Sequence, residues 1–167
     1  HIIIDTSPQA RMCGCGQPGH LEAYCSATAL VERTEQLISQ GRTTSLTTRI
    51  SKATPLTALM IAEEADRGDS LAYEVIMELA TWLGLGIVSL MHTIDPGAVI
   101  LGGAMNFNGH DDPVGRRFIE HVRGIVRQRA FPIPAQRTVI DFALLGSDAG
   151  YIGAAGIARL EYHRRKL

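Results

Sequence analysis

The sequence lacks most of what would send a chain to a membrane, to nucleic acid or to the oxidising exterior. Its formal net charge is only -1, which gives no reason to expect a polyanion or an anionic bilayer as partner. The basic ending Arg164-Arg165-Lys166 is short and reads as a solvated helix end. No apolar run of transmembrane length is read, and the N-terminus lacks the basic, apolar and small-residue succession of a secretory leader. Three cysteines are an odd, low count, so the expectation is a reducing cytoplasm and no disulfide framework. An initiating methionine is also absent. The chain opens on His1-Ile2-Ile3-Ile4-Asp5, which reads as a strand under way, and the expectation is that sequence preceding His1 is missing.

What is present is a globular composition: 46% of the 167 residues are apolar, too many for a disordered chain and enough for one domain or one lobe. A breaker-rich stretch, Ser7 to Gly19, follows the opening strand, and a helix is expected from His20 to about Glu32 with Leu21, Cys25 and Ala29 or Leu30 on one face. Arg42 to Lys52 reads as a Thr/Ser-rich connection. A helix then starts at Thr54 or Pro55 and stops at Gly68. The longest predicted helix runs from Asp69 to about His92, with Leu71, Val75, Leu79, Leu83, Ile87 and Met91 recurring at every fourth position. Gly84 and Gly86 inside it point to another backbone packed closely there. A buried strand Ala98–Leu101 runs into Gly102-Gly103. Asp112-Pro113 starts a helix carrying Val114, Phe118, Val122 and Val126. A strand from Thr138 to Leu145 precedes a last helix, Ala149 to His163, for which Ser147-Asp148 offers a cap. The order is α/β with too few strands, an incomplete sheet flanked by helices.

Cys13-Gly14-Cys15-Gly16-Gln17-Pro18-Gly19-His20 concentrates soft and borderline donors in a loop whose glycines permit tight turns. Zn²⁺ takes four such donors at tetrahedral corners, and Cys13, Cys15 and His20 supply three. The bland alternative is a surface loop with incidental thiols, or a strained Cys13–Cys15 bond. Spacing leaves the fourth donor open among His1, His92, His110, His121, His163 and Cys25, with His1 first and Cys25 read as a packed small hydrophobe.

The pattern Cys13-x-Cys15-Gly16-x-x-Gly19-x-x-Glu22 resembles the CxCGxxGCxE loop of the ROK (repressor, ORF, kinase) family, with His20 where that family usually has a third cysteine. Asp95-Pro96-Gly97-Ala98-Val99-Ile100-Leu101-Gly102-Gly103 and Gly146-Ser147-Asp148-Ala149-Gly150-x-x-Gly153-Ala154-Ala155 resemble later motifs of the same family, in the same order. The resemblance implies a ribonuclease H-like (actin-like ATPase) C-terminal lobe, residues 1–167, with its zinc loop at 7–22. It implies structural zinc held by His1, Cys13, Cys15 and His20, and a sugar contacted by Glu22 and by the second ring nitrogen of His1. Gly102 and Gly103 become the nucleotide-side glycines, with Ala104 where many members have a third. The implied activity is transfer of the γ-phosphate of ATP, with Mg²⁺, to a hexose, glucose at its 6-hydroxyl being the first candidate. The family's DxGxT loop and Asn-Asp pair do not occur, so no catalytic residue is expected on this chain and the base would lie before His1. The alternatives are a sugar-sensing transcriptional repressor, the one case in which nucleic acid is a partner, and a zinc-stabilised interaction domain. Alone, Glu22 reads equally well as a carboxylate complementing a helix N-terminus. A homodimer is expected, from the broad apolar stripe of the 69–92 helix with Leu56, Leu59 and Met60 beside it, and from the family's habit.

Overall fold

The computed structural model describes residues 1–51, 53–103 and 106–166. Its elements, in chain order, are α1 (Ala27–Ser39), α2 (Ala58–Asp66), α3 (Ser70–Ile94), β1 (Ala98–Leu101), α4 (Pro113–Arg129), α5 (Pro132–Arg137), β2 (Val139–Phe142) and α6 (Ala149–Arg164). Lys52, the end of the expected connection, and Ala104 lie outside the described residues.

The centre is α3. Its N-terminus is fixed by Asp69, whose carboxylate accepts from Ala72 N–H at 2.8 Å, so this side chain satisfies one of the helix's orphan donors. It ends where Asp95 takes a left-handed φ of 46°. Leu71, Val75, Ile76, Leu79, Ile87 and Met91 are buried on it, against Phe118, Ile119, Val122 and Val126 of α4 and flanking residues of α1 and α2. Each such side chain stabilises the fold by about 1.5–3 kcal/mol relative to an exposed one. By length and hydropathy α3 would span a membrane, contrary to the reading of the sequence, but half of its most apolar window is buried within the chain. It reads as a core helix.

The two glycines of α3 mark close approaches, by side chains and not by backbone. A Cβ at Gly84 would meet Ile125 of α4 at 2.7 Å, and one at Gly86 would meet Leu21 at 2.6 Å. The stripe expected to form a dimer is largely consumed inside the chain: Leu56 and Met60 are buried, and of the flanking trio only Leu59 is exposed.

β1 and β2 form a two-stranded parallel sheet in the register Ala98↔Val139 to Leu101↔Phe142. Arg123 of α4 donates to the Ile140 carbonyl from Nε (3.0 Å) and a terminal nitrogen (2.7 Å). That carbonyl points away from β1, so the outer edge of β2 is capped there.

Several expected elements are corrected. His1–Asp5 is no sheet strand; it makes an isolated antiparallel bridge, Ile3↔His20. The helix expected from His20 is a short 3-10 turn, Leu21–Ala23, after which α1 starts afresh at Ala27 because the Ser26 hydroxyl accepts from Ala29 N–H. The helix expected from Thr54 or Pro55 starts at Ala58, where Thr57 caps it. The Thr138–Leu145 strand contracts to β2, and α5, with Pro132 and Pro134 in its single turn and a half, has no counterpart in the reading.

Candidate functional site

The first 24 residues fold back on themselves. Leu21 N–H donates to the Ile2 carbonyl (2.9 Å) and Ile4 N–H to the Gly19 carbonyl (2.8 Å), so the opening segment lies along the far end of the cysteine loop. Within the loop, Gly16 N–H reaches the Cys13 carbonyl (2.9 Å) and Cys13 N–H the Gln17 carbonyl (3.0 Å), a tight turn closed on the two thiols. Gly19 cannot be replaced without disturbance: its φ is +76°, and a Cβ would fall 1.9 Å from the Asp5 carbonyl oxygen. The loop is tied to α3 by polar contacts. Glu78 accepts from Arg11 and from Arg33 Nε (2.9 Å). Buried Tyr24, packed on Trp82 at 4.6 Å between ring centres, donates to Asp5 and accepts from Arg11 N–H at 2.8 Å. Burial first, then the bond to Asp5, pushes the Tyr24 hydroxyl up, and the same bond holds Asp5 below the usual carboxylate range.

This folding brings together the ligating atoms of His1, Cys13, Cys15 and His20, all within 4.8 Å of one another. Cys13 Sγ lies 3.7 Å from His1 Nδ1, and Cys15 Sγ 3.1 Å from His20 Nδ1. Zinc bonds of ~2.0–2.3 Å at tetrahedral angles set donors roughly 3.3–3.8 Å apart. The Cys13–His1 pair at 3.7 Å lies in that range, the Cys15–His20 pair at 3.1 Å would have to open slightly, and pairs towards 4.8 Å would have to close by up to about 1 Å. The other proposed fourth donors are engaged elsewhere. His92 stacks on Phe131, His110 pairs with Asp141 at 2.6 Å, His121 meets Thr81 at 2.8 Å, and His163 contacts Tyr162. Cys25 donates to the Leu21 carbonyl (3.2 Å), and burial pushes its thiol up to about 12.

Glu22 stands on the 3-10 turn beside the cluster, its Oε2 3.6 Å from both Cys13 Sγ and His1 Nδ1. More than half of its side chain is in solvent (57%). The carboxylate is thus free to accept bonds from an incoming hydroxyl. Nδ1 of His1 is turned to Cys13 and Glu22, which leaves Nε2 as the ring nitrogen outside these contacts. Glu22 does not cap α1, which begins five residues later under Ser26; it lies in the first turn of the short 3-10 helix Leu21–Ala23.

Gly102 and Gly103 follow the carboxyl end of β1. Only Gly103, at φ +87°, needs to be glycine on backbone grounds; a Cβ at Gly102 would merely touch Ala143 at 3.5 Å. Beyond them the chain borders two cavities the sequence did not reveal. One, of about 320 Å³, lies between α2 (Leu59, Ala62, Asp66) and Asn106–Asn108. The other, of about 560 Å³, is lined by Asn108, His110, Asp111, Phe142 and Leu144. Burial, then the hydrogen bond with Asp112, pushes the Asp66 carboxyl up, while His110 holds Asp141 down. The Asp112-Pro113 helix start was legible; that Asp112 meets a residue 46 positions earlier was not.

A ROK family model matches residues 1–161. Among curated proteins, the chain is 32% identical over 158 residues to a glucokinase of Streptomyces coelicolor, covering 91% of this chain and 47% of that protein. It is 28% identical over 147 residues to the xylose repressor of Caldicellulosiruptor bescii, covering 87% and 35%. Among solved structures, a ROK family glucokinase from Streptomyces griseus, in complex with glucose and AMPPNP, matches with a TM-score of 0.72 at 28% identity, over 95% of this chain and 50% of that one. The chain spans less than half the length of the curated relatives named here.

Proposed function

This chain belongs to the ROK family, with the actin-like ATPase fold of its structural neighbours, and from that premise we propose that it is the C-terminal lobe of an ATP-dependent hexose kinase acting on the 6-hydroxyl of glucose or a close relative. The observation that carries the reading is the convergence of His1, Cys13, Cys15 and His20 with an exposed Glu22 carboxylate at their side. A sugar is recognised by fixed acceptors and donors, and the two roles fall to Glu22, which accepts from sugar hydroxyls, and to the second ring nitrogen of His1, Nε2. Zinc, when bound, holds the His1 ring and the Cys13–His20 turn in one orientation. Tyr24, Asp5 and the Arg11–Glu78 pair anchor that turn on α3, so the acceptor stands on a rigid element. Gly102 and Gly103 let a nucleotide approach the end of β1 closely, and the base and phosphate loop come from the segment before His1.

The match to a xylose repressor supports a second reading, in which the same sugar site is a sensor. Steady-state assays of the full-length protein separate them. A kinase consumes ATP only when a hexose is present; a sensor binds the sugar and consumes none. In the kinase, Glu22→Ala raises the sugar KM by one to two orders of magnitude, the loss of roughly 1.5–3 kcal/mol from a charged hydrogen bond. An unchanged KM removes Glu22 from the site.

A further inference from the structure

The N-terminal loop is held on α3 along one stripe of that helix. Residues four apart share a helix face, and Glu78, Trp82 and Gly86 follow one another at that spacing. Glu78 accepts from Arg11 and Arg33, Trp82 packs on Tyr24, and Gly86 receives the Leu21 side chain. The stripe thus offers the loop a charge, a ring and a notch. Gly84 is a second notch. From Gly84 to Gly86 the helix turns by roughly 200°, so Gly84 opens on the other side of α3, where it receives Ile125 of α4.

The Gly86 notch is filled to contact. A Cβ there would stand 2.6 and 2.8 Å from the two Leu21 methyl carbons and 3.3 Å from its Cγ. Rotation about the Cβ–Cγ bond of Leu21 moves the methyls and leaves Cγ in place, so a side chain at position 86 drives Leu21 out of the notch. The main chain of Leu21 is tied on both sides. Its N–H donates to the Ile2 carbonyl (2.9 Å), and its carbonyl accepts from Tyr24 N–H (3.0 Å), Cys25 N–H (3.0 Å) and the Cys25 thiol (3.2 Å). Leu21 therefore stands between His20 and Glu22 and also holds the residue that follows His1. Glu22 reaches into solvent with 57% of its side chain, and its near neighbours Cys13 and His1 belong to the same loop. Its place is set by the backbone of the turn.

We propose that Gly86 and Leu21 are positioning residues of the Glu22 site: the depth at which Leu21 sits in the Gly86 notch fixes where the turn presents Glu22 and His20. The proposal rests on the reading of that site as a sugar site. Helix propensity alone favours alanine at positions 84 and 86 alike. The two glycines are thus a matched pair, with the same helix, the same substitution and a similar overlap but a different neighbour.

That pair is the test, in the full-length protein. Gly86→Ala should raise the sugar KM by about tenfold or more, with a smaller change in kcat, because it displaces a group that binds the substrate. Gly84→Ala should leave KM within about twofold of the unaltered protein. Adding Leu21→Val to Gly86→Ala removes as much carbon as the alanine adds, and should bring KM most of the way back. Amide exchange gives a readout that needs neither ATP nor sugar. Gly86→Ala should speed exchange of the Leu21, Tyr24 and Cys25 N–H groups by about tenfold or more and leave α4 unchanged; Gly84→Ala should loosen α4 around Ile125 and leave the turn unchanged. Equal KM changes in the two glycine variants overturn the proposal, as does exchange in the turn that Gly86→Ala leaves as it was. A double variant no better than Gly86→Ala alone also overturns it, since the effect then does not pass through Leu21. Where Gly86→Ala fails to fold, Leu21→Ala empties the notch from the loop side and should loosen the turn alone. Protein that neither phosphorylates nor binds a hexose refutes the sugar site, and exchange still decides the role of the notch.

Discussion

The helical core and the N-terminal loop are held by different physics. In α1 to α4 the sequence itself supplies the stabilisation: Leu30, Ile61, Leu71, Ile76, Phe118 and Val122 are at most 1% exposed, and the helices close on them. The loop before α1 buries only Cys13, Gly19 and Tyr24. It is held by a few backbone bonds, by Arg11 and Tyr24, and by four potential ligands whose convergence no apolar burial explains. A stretch with so little apolar surface to remove from water depends on its polar anchors for order, and a metal, where one binds, adds to them. The core should therefore survive loss of the loop's order, and the loop should not survive loss of its anchors.

The largest effect expected of a single change is in the core. Phe118→Ala should lower global stability by about 3–5 kcal/mol, measured by denaturant unfolding, because it opens a cavity between α3 and α4. A smaller effect would mean that the core is less tightly closed than the contrast requires. Next comes Gly19→Ala. A left-handed position occupied by Ala costs ~1–2 kcal/mol, and the overlap with Asp5 adds to it. The damage should be confined to residues 1–24 in amide exchange, with the core's exchange unchanged. Spread of the damage into α3 would erase the distinction between the regions.

The third test uses acid. Glu64 is buried on α2 and accepts from Ser45, Arg67 and Arg49, the Ser45 bond being the largest of the causes that hold its pKa below the ordinary value. Its contribution to stability is thus complete above the ordinary glutamate range and is lost as pH falls through its depressed folded value. Glu64→Gln should flatten this acid limb of the unfolding curve, and an unaltered limb would assign acid sensitivity to other carboxylates. The smallest effect is chemical: the high pKa of Cys25 should leave it nearly inert to iodoacetamide at pH 8 in the native protein, while metal-free Cys15, exposed in the loop, reacts.

Legibility in the sequence followed the same division. Where a long period of apolar residues coincided with a capping residue, as at Asp69 and at Asp112-Pro113, the helix was found within a few positions. Where local and tertiary signals diverged it was not. His20 to Glu32 carries helix-forming residues, but the loop pins Leu21 against Gly86, and Ser26 restarts the helix. Pro132 and Pro134 gave no helix signal, yet a helix's first turn needs no N–H from them. The donors Cys13, Cys15 and His20 were legible because they are close in sequence. By spacing alone His1 was one option among several; the family resemblance singled it out, and the Ile3–His20 bridge brings it back to the loop. The anchors were invisible, since Arg11 and Glu78 are 67 positions apart.

The central claim is that a metal held by His1, Cys13, Cys15 and His20 orders the loop that carries Glu22. Zinc content of protein purified without added metal, measured by plasma mass spectrometry, tests it most directly. The account predicts about one equivalent per chain, lost in Cys13→Ser and in His20→Ala and retained in Cys25→Ala. Protein that carries no zinc, or that keeps its full equivalent in Cys13→Ser, would contradict it.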